Sequence, residues 1–347
     1  VEEQASDALV LPEGAEPAAI EWAQRISEIN RELDARLAAG EEQTPRTRAR
    51  ELSDRLAMEF TNPINPDCEI RELSIPVRSG FLTVFHYRPK LSSELVRPVQ
   101  LFFHGGGFVQ GTPREQINHR LLSERSVASG CDILATSYAL APEQPFPAAL
   151  NDAVDALNWL AEHAAEQGWD HRRIGIGGNS AGANIAALLA LHARDHAGPV
   201  ISHQLLEVIP ASLKLEHTES FRLYATASDL AQWKTLLEAY LGSMNDPETL
   251  KAASPLLYPT LERLPATLVM VAEFDAVRDS GIEYATRLLE SGVDARLWCG
   301  TAQLHASSGL TAVSAAARRW HQVAAKELKE HLVARASQKK QAVQQGV

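Results

Sequence analysis

Arg172-Arg173-Ile174-Gly175-Ile176-Gly177 runs into Gly178-Asn179-Ser180-Ala181-Gly182, and this stretch decides the fold. The first six residues read as a short buried strand, while Ala181 to Ala193, rich in Ala and Leu with no proline, reads as a helix. A Gly-x-Ser-x-Gly set between strand and helix puts the serine on a sharp turn with its hydroxyl exposed. Glycines on either side leave room for the neighbouring strand and helix. The pentapeptide is short enough to arise by chance, so its meaning depends on what surrounds it.

Working outward, strand and helix patterns alternate: helix 115–129, strand 132–138, helix 147–166, strand 172–177, helix 181–196, strand 202–209. Such alternation implies βαβ units and a mostly parallel sheet. Ahead of it lie strands at 70–77, 81–87 and 99–103, the first two joined by a turn at Ser79-Gly80. Two amphipathic helices come first. Residues 17–39 place Ile26, Ile29, Leu33 and Leu37 on one face, and Thr44-Pro45 opens a second helix striped by Leu52, Leu56 and Phe60. Residues 210–260 break the alternation with a polar, then aromatic and leucine-rich segment that reads as an inserted cap. Strand 266–272, helix 279–291, strand 293–298 and a long helix from about 307 to 335 follow. The polar end, residues 336–347, is expected to be disordered.

At 347 residues the chain is long enough for one large α/β domain with accessory elements. A net charge of −11 argues against a nucleic-acid surface, and no basic cluster coincides with aromatics. Three widely spaced cysteines suggest reduced thiols and a cytoplasmic setting, although a chain opening at Val1 leaves room for a removed leader. No run of 18 apolar residues suggests a membrane span.

A serine hydroxyl is a weak nucleophile, so Ser180 needs a histidine to take its proton and a carboxylate to orient that histidine. One chain order that such a triad takes on an α/β sheet is Ser, then Asp or Glu, then His, with the acid and histidine on loops after late strands. Asp275, just past the apolar run Val269-Met270-Val271-Ala272, and His305, after strand 293–298, meet that topology. His104-Gly105-Gly106-Gly107-Phe108, directly after strand 99–103, supplies a loop of unobstructed backbone N–H groups suited to an oxyanion.

These motifs in order, with Tyr138-Ala139-Leu140-Ala141-Pro142-Glu143, Pro145-Phe146-Pro147-Ala148-Ala149-Leu150 and Asp275-Ala276-Val277-Arg278-Asp279-Ser280-Gly281, carry a resemblance. Over residues 65–320 the chain resembles the hormone-sensitive-lipase-like, or bacterial family IV, carboxylesterases of the α/β-hydrolase superfamily. The resemblance implies an α/β-hydrolase fold with a helical cap made of residues 1–60 and about 210–245, and a catalytic domain over 61–335. It further implies Ser180 as nucleophile, His305 as base, Asp275 as orienting acid, and the N–H groups of Gly105, Gly106 and Ala181 as oxyanion hole. A small to medium carboxylic ester is the implied substrate, with no cofactor or metal, and homodimers occur in such families. The elbow departs from the usual Gly-Asp-Ser-Ala-Gly-Gly at Asn179 and Ala183, and Ala276 and Ala306 depart in the later loops. Amide, lactone or acyl-transfer chemistry uses the same triad, and receptors on this fold lack the histidine.

Other residues read more plainly. Phe108, Trp233 and Tyr240 are candidates for lining the substrate pocket, with internal packing equally open. His192 and His196 stand four apart but lack a third metal ligand. Asp152, Asp155 and Glu162 read as the solvent face of one helix, and Lys326, Glu327, Lys329 and Glu330 as that of the last. Cys68, Cys131 and Cys299 read as small buried residues.

Overall fold

The computed structural model describes residues 12–91, 96–242 and 246–334. The expected disordered tail, residues 336–347, and the first eleven residues of the expected cap lie outside them.

Helices α1 (Pro17–Ala38) and α2 (Pro45–Phe60) precede the sheet, each with proline in its first turn. Thr44 and Thr47 form a reciprocal capping box that starts α2. The sheet is built from β1 (Cys68–Val77), β2 (Gly80–Pro89), β3 (Arg97–Phe103), β4 (Asp132–Thr136), β5 (Trp169–Asn179), β6 (His203–Glu207), β7 (Ala266–Phe274) and β8 (Ala295–Leu304). Their spatial order is β1-β2-β4-β3-β5-β6-β7-β8. The β1–β2 and β2–β4 pairs are antiparallel and every other pair is parallel.

Crossover helices cover both faces, as parallel strands require. They are α3 (Gln116–Ser129), α4 (Ala148–Gln167), α5 (Ala181–Asp195) and α9 (Arg278–Glu290), joined by α10 (Ala315–Leu328), which follows the last strand. The period of two is visible along β7: Val269 and Val271 join the core with α4, α5 and α9, whereas Leu268, Met270 and Ala272 join the core with α10. Gly130 and Gly168, both left-handed, end α3 and α4. Between β6 and β7 the inserted segment forms α6 (Glu219–Tyr224), α7 (Ala227–Leu241) and α8 (Pro247–Ala252).

The structure corrects several expectations. Strand β8 runs six residues further than the sequence suggests, and the last helix begins at Ala315, not near 307. Tertiary contacts override helix propensity over 305–314: Thr61 Oγ1 donates to the Gly309 carbonyl at 2.7 Å, Thr311 Oγ1 accepts from the Asn62 N–H at 2.9 Å, and the Ala312 N–H donates to the Phe60 carbonyl at 3.0 Å. Ser314 then caps α10. A π-helical turn, Lys329–Ala334, closes the described chain.

Asp152 is not on a solvent face. It is buried, accepting from Ser79 Oγ at 2.6 Å and the Ala139 N–H at 2.8 Å, because the β1–β2 turn folds onto α4. Asp155 pairs with Arg78 beside it. Glu327 is likewise buried, held among His203, His331 and Arg296. Cys299 is exposed, since β8 is an edge strand, whereas Cys68 and Cys131 are buried as expected; all three are free.

Candidate active site

Strand β5 delivers Ser180 at the carboxyl end of the sheet's centre, with φ 55° and ψ −118°. A non-glycine residue in that conformation is strained, and the surroundings enforce it. A Cβ on Gly182 would collide with the Phe103 carbonyl oxygen, and one on Gly178 would lie 2.7 Å from the same atom. The two glycines thus let β3 and α5 pass the turn at contact distance. The Ser180 N–H donates to the Glu207 carbonyl at 2.8 Å, fixing the turn to the end of β6.

His305 follows β8 directly, and Asp275 follows β7. The imidazole Nε2 lies 2.9 Å from Ser180 Oγ and Nδ1 lies 2.8 Å from Asp275 Oδ2. Asp275 is buried, and its other oxygen accepts the Val277 N–H at 2.9 Å, which sets the carboxylate's orientation. Burial acts to depress the His305 pKa, but the charge and hydrogen bond of Asp275 outweigh it and hold the pKa above the ordinary histidine value. The residues chosen from 125 positions of chain separation therefore meet in one hydrogen-bonded chain.

The glycine loop runs beside Ser180. A Cβ on Gly105 would sit 3.0 Å from Asn179 Oδ1 and 3.6 Å from Ser180 Cβ. Asn179, one of the departures from the family pattern, thus abuts the loop of Gly105 and Gly106, while Ala181 opens α5 directly after Ser180. Gly106 has φ 126°, and a side chain there would strike the Gln110 carbonyl. His104 is a structural member of the loop: it stacks on Tyr138 with 4.3 Å between ring centres, and Tyr138 Oη donates to the His104 carbonyl at 2.8 Å. Burial pushes the His104 pKa down to about 4, so the ring stays neutral.

Phe108 and Tyr240 are both buried and stack on each other at 3.8 Å, joining the glycine loop to α7. Trp233, half-buried on α7, packs on the core. Leu236, also on α7, comes closer to the loop: a Cβ on Gly107 would lie 2.8 Å from its Cδ2.

Several supporting residues escaped the sequence reading. Arg46 of α2 donates to the Val109 and Ala141 carbonyls at 2.7 and 2.8 Å, bracing the glycine loop. Glu16 accepts from Gln303 Nε2 and Ser314 Oγ, both at 2.8 Å, on the two sides of the His305 loop. Asn184 donates to the Pro210 and Ala253 carbonyls, tying α5 to the inserted segment. Nothing in local periodicity marks Arg46 or Glu16, because their partners lie far along the chain.

His192 and His196 do not approach the triad. They stack at 4.1 Å, 12 and 16 positions beyond Ser180, beside a surface groove of about 480 Å³. At the amino ends of the strands His203, Glu327 and His331 gather, but the Arg296 guanidinium contacts both Glu327 oxygens at 2.5–2.6 Å and already supplies the cation.

Residues 100–308 match the family model described as alpha/beta hydrolase fold. Esterase LipI of Mycobacterium tuberculosis is 33% identical over 258 residues, covering 74% of this chain and 80% of that protein. Carboxylic ester hydrolase LipN of the same organism is 34% identical over 235 residues, covering 65% of this chain and 60% of LipN. The crystal structure of EstE1, a thermophilic carboxylesterase cloned from a metagenomic library, superposes with a TM-score of 0.75 at 31% identity, covering 83% of this chain and 96% of EstE1. The chain belongs to the hormone-sensitive-lipase-like family of α/β-hydrolase-fold carboxylic ester hydrolases.

Proposed function

We propose that Ser180, His305 and Asp275 carry out ester hydrolysis through an acyl-enzyme. Ser180 Oγ attacks the ester carbonyl carbon as its proton passes to His305 Nε2, and Asp275 stabilises the resulting imidazolium through Nδ1–H. The N–H groups of Gly105, Gly106 and Ala181 hold the tetrahedral oxyanion. Collapse expels the alcohol, which takes the proton from His305. Water then attacks the acyl-serine with the same base, and the carboxylic acid leaves. The continuous hydrogen-bonded chain from Ser180 Oγ through His305 to Asp275, on a strained turn, carries this reading.

Residues 1–60 and about 210–245 act as the cap that limits the pocket to small or medium esters. Support comes from Leu236 against Gly107 and the Phe108–Tyr240 stack, which set α7 over the glycine loop. Phe108, Trp233 and Tyr240 then shape the pocket, the two stacked rings from behind its wall. The free cysteines favour a cytoplasmic site, and among the described residues no helix is long and apolar enough to cross a membrane. The exposed edge strand β8 offers the surface for a homodimer, which light scattering would count.

Ser180→Ala should lower turnover of short p-nitrophenyl esters by about ten-thousand-fold or more and abolish labelling by a fluorophosphonate. Undiminished turnover in that variant overturns the assignment, and a panel graded by acyl and alcohol size measures the pocket.

A further inference from the structure

Beneath the triad lies a second polar cluster that the chemistry above does not use. Arg125 of α3 reaches Glu207 with both terminal nitrogens, at 2.6 and 2.9 Å, and Trp320 Nε1 donates to the same carboxylate at 2.6 Å. Arg125 also donates to His321 Nδ1 at 3.2 Å. That bond makes Nδ1 the acceptor, so the Nε2–H donates to the Ser308 carbonyl 3.0 Å away. Arg125 and Glu207 are each 2% exposed, and His321 is 7% exposed.

The two ends of this cluster are the two catalytic loops. Glu207 is the residue whose main-chain carbonyl holds the Ser180 N–H, and Ser308 lies three residues after His305. The Arg125 guanidinium also sits 5.8 Å over the Phe102 ring, two residues before the glycine loop begins at His104. Burying an ion pair is a poor route to stability, because an apolar trio of similar volume packs as well. What a bidentate fork and a fixed imidazole provide is geometry. We propose that Arg125, Glu207 and His321 are positioning residues that hold the Ser180 turn and the His305 loop in register through Ser308.

The rest of the chemistry agrees. Burial opposes ionisation of Glu207, but the Arg125 charge and its hydrogen bonds outweigh that and keep the carboxylate charged. Burial and the same guanidinium keep His321 neutral, its pKa pushed down to about 4, so its tautomer does not change while His305 cycles. The signal was in the sequence: Glu207 interrupts the apolar run Leu205-Leu206-Glu207-Val208-Ile209, and a carboxylate there demands a buried cation.

The inference rests on the triad assignment, and Ser180→Ala run in parallel separates the two: turnover surviving in that variant removes the triad and this inference with it, whereas turnover lost there but unchanged in the His321 variants below removes the inference alone. The test compares the full-length protein with His321→Gln, whose amide can accept from Arg125 and donate to Ser308, and His321→Leu, which does neither. Sites are counted by fluorophosphonate titration well below the unfolding temperature. The Leu variant should lose roughly tenfold or more in kcat per titrated site with KM within about twofold, and its acid limb in kcat/KM should move, while Gln restores kcat to within about threefold. If the Leu variant does not fold, His321→Asn, polar but too short for both partners, takes its place with the same expected loss. A folded, titratable Leu or Asn variant with unchanged kcat and pH profile overturns the proposal, as does a Gln variant no better than Leu.

Discussion

Two histidine–carboxylate pairs sit at opposite ends of the same sheet with nearly the same spacing. His305 lies 2.8 Å from Asp275 at the carboxyl ends of the strands, and His203 lies 2.9 Å from Glu327 at the amino ends. In the first pair the imidazole is half-buried, its second nitrogen faces the hydroxyl on the strained turn, and its pKa is raised. In the second the ring is fully buried, Nδ1 finds no partner among the described residues, and the carboxylate also serves His331 and Arg296. Burial there lowers the His203 pKa against the pull of Glu327. A histidine beside a carboxylate is thus not a dyad by virtue of the contact. It becomes one when the far nitrogen meets a nucleophile in a place that substrate can reach.

The sharpest way to break the contrast is to remove one acid from each pair. Asp275→Asn should lower kcat by roughly a hundred- to ten-thousand-fold in steady-state ester assays with little loss of melting temperature, because it leaves His305 without its charge and in the wrong tautomer. Glu327→Gln should do the reverse, costing on the order of 3 kcal/mol in denaturant unfolding while kcat of the folded enzyme stays within about threefold. A catalytic collapse in Glu327→Gln would erase the distinction.

The pH profile sharpens it further. As the proposed base, His305 works only when neutral, and its raised pKa favours the imidazolium, so kcat/KM of the wild type should fall on acidification with a midpoint above the ordinary value of about 6.5. In Asp275→Asn the midpoint of the residual rate should move down. The smallest expected effect concerns Glu115, at the N-terminus of α3 against α2, whose carboxyl burial pushes up to about 7. A raised carboxyl pKa stabilises the fold below the unfolded value and that contribution is lost as pH rises through 7. Glu115→Gln should therefore raise the melting temperature by a few degrees at pH 8 and less at pH 5, read by calorimetry.

The sequence made the residues of the proposed triad legible because each sits past a strand end beside its own local mark: glycines around Ser180, an apolar strand before Asp275, the loop between the last strand and the last helix for His305. Element order was legible for the same reason, through alternating periodicities of two and 3.6. What stayed hidden depends on contacts across the chain. Asp152 and Glu327 looked like solvent-face charges because helical spacing says nothing of a turn or a strand folding onto that face. The 305–314 segment has helix-forming residues, yet hydrogen bonds from Phe60, Thr61 and Asn62 hold it in another shape.

Those last bonds, with Glu16 reaching Gln303 and Ser314, also limit how the enzyme can be recombined. A chimera that exchanges residues 12–60 for a relative's helices would leave the recipient's 303–314 loop without its clamps. Exchanging the N-terminal helices therefore means transplanting two separate stretches of chain as one unit, and libraries that cross over between them will be enriched in inactive progeny.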